Sequence, residues 1–211
     1  MPGPKKPDLD SFNSGLSDGR NMSAWRDFWG IYRESLPILI IALGGGLFAG
    51  LILEGLIESV KEYPGLLVMV PVFLATRGNV YGALGGRIAS GLHQGLIEPR
   101  FQRDDRLVNA VLASFVNGIG ISIVIGVITW TALVLLPGWT PANLVVLVAI
   151  MFVAGTLTSV VMIVGLLLLI FTGFRYGHDP DNLVGPVVTT LGDIFGMLFL
   201  LFAVWLVGVV L

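Results

Sequence analysis

Five apolar runs, each of 20 or more residues, follow one another from Ser35 to the C-terminus with short polar links between them. They fall at about 35–60, 66–96, 107–136, 143–171 and from Pro180 or Leu183 to Leu211. A hydrocarbon core takes roughly 20 helical residues to cross, so each run is long enough to span one. The alternating strands of about ten residues that mark a membrane barrel do not occur. Helices are then the way left to satisfy the backbone in lipid. The pattern predicts an all-α membrane protein, a five-transmembrane-helix bundle over residues 35–211.

Ahead of it, residues 1–34 read differently. Met1 to Asn21 is polar and rich in Gly, Asp and Ser, lacks a signal-peptide pattern, and predicts a disordered cytoplasmic tail. Ala24 to Arg33 mixes aromatic and charged residues, which suits a helix lying at the headgroup level. Short loops rich in Lys and Arg stay cytoplasmic. Arg100, Arg103, Arg106 and Arg175 gather on the side of the N-terminal tail, and the opposite side offers only Lys61. The expected orientation puts the N-terminus in the cytoplasm and the C-terminus outside, in the cell membrane.

Composition narrows the chemistry. Hydrophobic residues make up 55% and charged residues 12% of 211, too apolar a mixture for a water-facing surface. A net charge of −2 and no basic run argue against nucleic acid. Without cysteine, thiolate sites and disulfides are excluded, and any metal must be met by oxygen or imidazole. The two histidines, His93 and His178, fall at the inner rim, and neither G-x-S-x-G nor H-E-x-x-H occurs, so no enzyme is expected.

Ionisable side chains at depth cost at least ~2.5 to 3.5 kcal/mol on insertion scales and mark function by default. Asp193 stands about 14 residues beyond Asp179, ~20 Å into the bilayer at 1.5 Å per residue. Pro186, Thr189, Thr190, Asp193 and Gly196 share a polar stripe on its helix. A carboxylate among hydroxyl and amide oxygens is what a hard cation such as Mg²⁺ prefers. One carboxylate is a weak site, and a symmetric dimer supplies a second across its axis. A competing reading pairs Asp193 with Arg77. Span two carries a small residue at every fourth position, Gly78, Gly82, Gly86 and Ser90, a groove for close helix contact. Asn79, beside Gly78, offers an amide oxygen. Asn117, Thr156, Thr158 and Ser159 read as hydrogen bonds between helices. Glu54 and Glu58, near the outer water, suit an entrance or a pairing with Arg77; Asp181 is a further candidate at the inner mouth.

The stretches PVFLATRGNVYGALGGRIASGLHQG (Pro71 to Gly95) and HDPDNLVGPVVTTLGDIFG (His178 to Gly196) resemble the integral membrane domain of MgtE magnesium transporters and solute carrier family 41. The first looks like the family's P-x(n)-G-N-x(n)-R-[LI]-[AS] stretch, the second like its D-P-x(n)-P-x-x-T-T-x-x-D-x-x-G stretch. The resemblance covers about Ser35 to Leu211. It implies a homodimer with an ion path between spans two and five of both subunits and magnesium as the transported ion, with no further cofactor. Asp193 then stands at the family's ion-binding aspartate and Thr189 and Thr190 at its pore-facing neighbours. Asp179 and Pro180 match the inner-mouth pair, and Asn79 the glycine-asparagine motif. Bacterial members usually have glycine where this chain has Arg77, and an amide-rich segment where it has Tyr81, Gly82 and Ala83, so it looks closer to the carrier branch. The expected function is a divalent cation channel or transporter. A non-transporting membrane scaffold and a proton- or sodium-coupled carrier of another cation stay open, as does a heterodimer with a similar half.

Overall fold

The computed structural model describes the backbone of residues 9–100, 104–176 and 180–210, and side chains from position 25 onward apart from 27, 34 and 180–183 within that range. The described chain is helical throughout: α1 (Leu9–Gly55), α2 (Ile57–Glu62), α3 (Leu66–His93), α4 (Asp105–Leu135), α5 (Leu144–Arg175) and α6 (Pro180–Val210). Five stretches, Phe28–Gly55, Leu66–His93, Asp105–Leu135, Leu144–Arg175 and Val184–Val210, are long and apolar enough to cross a membrane. The five expected spans are present. The tail is a correction as far as it is described: from Leu9 on, the stretch expected to be disordered is helical and belongs to α1. Past Pro7 no proline intervenes until Pro37, and a helix nucleated in the apolar run can propagate backwards at little cost.

The chain divides into two compact units, residues 1–41 and 42–211. In the first, an exposed aromatic group winds around α1: Phe28 meets Trp25 edge-on at 5.8 Å and stacks on Tyr32 at 6.1 Å between ring centroids. The second is the bundle. Its ends are set by caps and tight links. Gly65, at a φ of 109° that only glycine adopts without strain, turns the chain into α3. Asp104 caps α4 by accepting from the N–H groups of Arg106 and Leu107 at 2.8 and 3.1 Å, and Asn143 caps α5 through Val145 N–H at 2.8 Å. At one end Ala142 N–H donates to Pro64 O at 2.9 Å; at the other Arg175 Nε donates to Pro99 O at 2.9 Å. Each bond ties together two links that are far apart in sequence.

Two apolar clusters fill the bundle. One, around Met69, Phe73, Ile150, Met151 and Leu200, lies toward the Pro64 end; the other, around Leu84, Ile88, Leu166, Ile170 and Val188, lies toward the Pro99 end. Large apolar side chains on the outside, among them Leu112, Val116, Val164, Leu168 and Trp205, are exposed as lipid-facing residues are. Glycine sets the close approaches. A Cβ on Gly126 would stand 3.0 Å from Val148 Cα, one on Gly196 2.9 Å from Leu74 Cδ2, and one on Gly85 would overlap Val184.

Candidate functional site

Between the two clusters, at mid-span, the polar residues of α3 separate onto opposite faces. Arg77 and Asn79 are two residues apart, some 200° around a helix. Arg77 is completely buried on the inward face. Its Nη2 donates to Ser122 Oγ at 2.6 Å and Gly118 O at 3.2 Å, both on α4, and its guanidinium carbon lies 4.4 Å from the Phe73 ring centroid and 6.0 Å from that of Tyr81. Nε and Nη1 have no hydrogen-bond partner. Tyr81, one turn on, donates to Ser159 Oγ of α5 at 2.6 Å. Ser122 and Ser159 pass their own protons back to Gly118 O and Gly155 O, each at 2.6 Å. A Cβ on Gly118 would sit 2.5 Å from Tyr81 Oη, and one on Gly155 would overlap Ser122. Three helices are thus knotted around one buried cation, and only glycine fits at the crossings.

The pairing of Arg77 with Asp193 does not occur, and neither does one with Glu54 or Glu58. Arg77 leaves α3 toward α4, and Asp193 belongs to the other face. There Asp193, Thr189 and Val188 of α6 and Gly78, Asn79 and Gly82 of α3 line an open cavity of about 430 Å³. Asp193 is half-buried; Asn79 and Thr189 are exposed to the cavity side. The Thr189 hydroxyl proton is taken up by Pro186 O at 2.9 Å and Gly185 O at 3.1 Å, which leaves its lone pairs free. The cavity wall therefore offers a carboxylate, an amide oxygen and a hydroxyl oxygen, a hard and purely oxygen donor set. Among the described residues no three acidic or histidine side chains converge.

Of the residues singled out from the sequence, the structure brings Asn79, Gly78, Thr189 and Asp193 together. Thr190 is elsewhere: its hydroxyl donates to Pro186 O at 2.7 Å and its methyl occupies the space a Cβ on Gly45 would need. Pro186 acts through its carbonyl, which both threonines use. Glu54 is exposed near the end of α1 and lines no part of the cavity. Asp179, and the side chain of Asp181, lie outside the described residues. Among the described residues nothing fills the groove of Gly78, Gly82 and Gly86, since a Cβ at any of the three would meet nothing within 4 Å. Thr156 and Thr158, expected to bond between helices, bond within α5 to Phe152 O and Ala154 O at 2.7 Å each, and Asn117 is exposed. What sequence reasoning missed is the Arg77 knot. Its signal was the small-residue pair at four-residue spacing on two consecutive spans, Gly118 with Ser122 and Gly155 with Ser159.

Comparison with known proteins places the chain in a family. The chain is 24% identical over 177 residues to solute carrier family 41 member 2 of Mus musculus, covering 78% of this chain and 29% of that protein. It is 24% identical over 173 residues to solute carrier family 41 member 3 of Rattus norvegicus, covering 76% and 35%. The chain thus spans about a third of the length of the curated relatives it matches. Residues 70–203, from the middle of α3's first half to the last turns of α6, match the family model MgtE, described as a divalent cation transporter. With more than half of its length inside that match, the chain belongs to the MgtE family of divalent cation transporters.

Proposed function

We propose that this protein carries a divalent cation, magnesium foremost, across the cell membrane along a path that passes the cavity between α3 and α6. The observation that carries the reading is the convergence of Asp193, Asn79 and Thr189 on that cavity at mid-span, 13 residues from the start of both α3 and α6 in the cases of Asn79 and Asp193. Asp193 is the central ligand. Mg²⁺ dehydrates reluctantly, so a single carboxylate engages it largely through retained water, with Asn79 and Thr189 holding the shell. The open glycine face of α3 suits a second copy of the chain, which places another Asp193 across the axis and doubles the negative charge on the path. A hard oxygen set with no sulfur favours magnesium over softer ions. The end bearing Arg87, Arg100, Arg106 and Arg175 is cytoplasmic by charge, which puts the N-terminus inside and the C-terminus outside.

The test is Mg²⁺ flux into liposomes holding the purified chain, native against Asp193→Asn at matched reconstitution. Native flux with loss in a mutant that keeps its assembly state supports Asp193 as ligand. Equal flux in both moves the site elsewhere. Absence of flux in both favours a scaffold, whose buried polar residues serve only to knit helices.

A further inference from the structure

On the α4 side of α3, away from Asp193, lies a second cavity of about 570 Å³ at the Pro99 end of the bundle. Arg87 of α3 and Arg106 in the first turn of α4 both line it, with Ser90 and Gln94 and the small residues Gly86 and Ala110. Arg87 sits six residues before His93, ~9 Å inside the end of α3, and Arg106 enters from the rim. Both therefore stand at headgroup depth. Neither has an acidic partner among the described residues. The ion pair at this end is Arg100 with Glu98 at 3.8 Å, and the carboxylate of Asp104 is taken up by the backbone N–H groups of Arg106 and Leu107. Two exposed guanidinium groups around one cavity, neither ion-paired among the described residues, make it attractive to an anion. Their planar forks match the oxygens of a phosphate better than any point charge.

We propose that this cavity binds the phosphate of an anionic phospholipid headgroup, gripped between Arg87 and Arg106 and supplemented by Ser90 and Gln94. A basic pocket between helices at the edge of the bilayer is where such headgroups lodge. The cavity is far larger than one phosphate requires, and Ile88, Leu96 and Ile97 in its lining offer apolar surface to the glycerol and chains that follow the phosphate. A soluble phosphate shares the chemistry at the arginines but leaves that surface uncovered. The site uses none of the oxygen donors of the ion path and shares only Gly86 with the glycine face of α3, so lipid binding is read apart from transport.

Native mass spectrometry of the full chain in neutral detergent tests it, with phosphatidylglycerol and phosphatidylcholine of identical acyl chains as probes and inorganic phosphate as competitor. Phosphatidylglycerol is expected to be retained in preference to phosphatidylcholine and not to be displaced by inorganic phosphate. Arg87→Gln and Arg106→Gln should each weaken its binding by about tenfold, the loss of one charge-assisted contact. Arg100→Gln and Asp193→Asn should bind as the native chain does. Should Arg87→Gln fail to fold, Arg87→Lys, which keeps the charge and loses the fork, should still bind more weakly than native. Equal retention of the two lipids, or native affinity in the Arg87 and Arg106 variants, overturns the site. Displacement by inorganic phosphate makes it a soluble-anion site and overturns the lipid.

Discussion

Arg77 and Asp193 belong to helices that pack together, and a Cβ on Gly192 would stand 3.4 Å from Arg77 Cβ, yet their side chains part company: Arg77 enters α4 and Asp193 lines the cavity between α3 and α6. The separation keeps the carboxylate available to a cation and makes Arg77 a matter of architecture. Replacing a buried ion by an apolar residue of similar volume is often neutral or stabilising, whereas removing its partner strands it. Arg77→Met leaves no orphan, because Ser122 still donates to Gly118 O. Its unfolding free energy in detergent should therefore match or exceed the native value, while Ser122→Ala should lose about 1–3 kcal/mol. If the methionine variant proves the weaker of the two, the guanidinium is a net stabiliser of the knot.

Gly118 offers a second measurement on the same knot. An alanine methyl there would stand 2.5 Å from Tyr81 Oη and 2.6 Å from Ser159 Oγ, so it must break their hydrogen bond. Gly118→Ala should cost about 1–3 kcal/mol. Gly120, two residues on, has nothing within 4 Å of a Cβ, and Gly120→Ala should leave stability unchanged or raise it by up to ~1 kcal/mol. Thermal midpoints of the pair, taken in one detergent, should differ in that direction.

Gly82 separates transport from folding. It lines the Asp193 cavity, and a Cβ there meets nothing within 4 Å. Gly82→Leu should leave the packing within one chain intact while cutting Mg²⁺ flux on the order of tenfold, by filling the path or by keeping the second copy off the glycine face. Native flux from the leucine variant would place the path away from this cavity.

The link between α2 and α3 carries a titrating group. Burial, and then the negative charge of Glu62, push the Tyr63 hydroxyl above its ordinary value of 10.0. The folded chain holds that proton more tightly than the unfolded one. Its contribution is complete below the unfolded value and is lost as pH rises through the folded one. Comparing thermal midpoints at about pH 9 and about pH 11, Tyr63→Phe should show a shallower fall than the native chain.

The number and placement of the spans were legible because their length and apolarity leave one solution in lipid. The meeting of Asn79, Thr189 and Asp193 was expected from the family resemblance, which implied a path between spans two and five; chemistry alone marked each as an oxygen donor at depth. The destination of Arg77 was not, although its place was: Phe73, Arg77 and Tyr81 repeat every four residues on one face, with Asn79 opposite. Reading charge against charge pointed to Asp193, and the actual acceptors, a serine and a backbone carbonyl, carry no charge to betray them. Helix α1 before residue 25 was missed for another reason. Its polar composition resembles a tail, and helicity borrowed from the neighbouring span leaves no local mark.

The Arg77 knot also has an order in time. Helix α3 is the least apolar of the five spans, and every acceptor for Arg77 and Tyr81, from Gly118 to Ser159, is encoded downstream of it. As the chain leaves the ribosome, α3 reaches the membrane with a bare guanidinium and no neighbour to receive it. It settles only when α4 and α5 arrive, so insertion of the middle three helices is a joint event. A chain truncated after α3 is expected to insert that helix less completely than the full chain does.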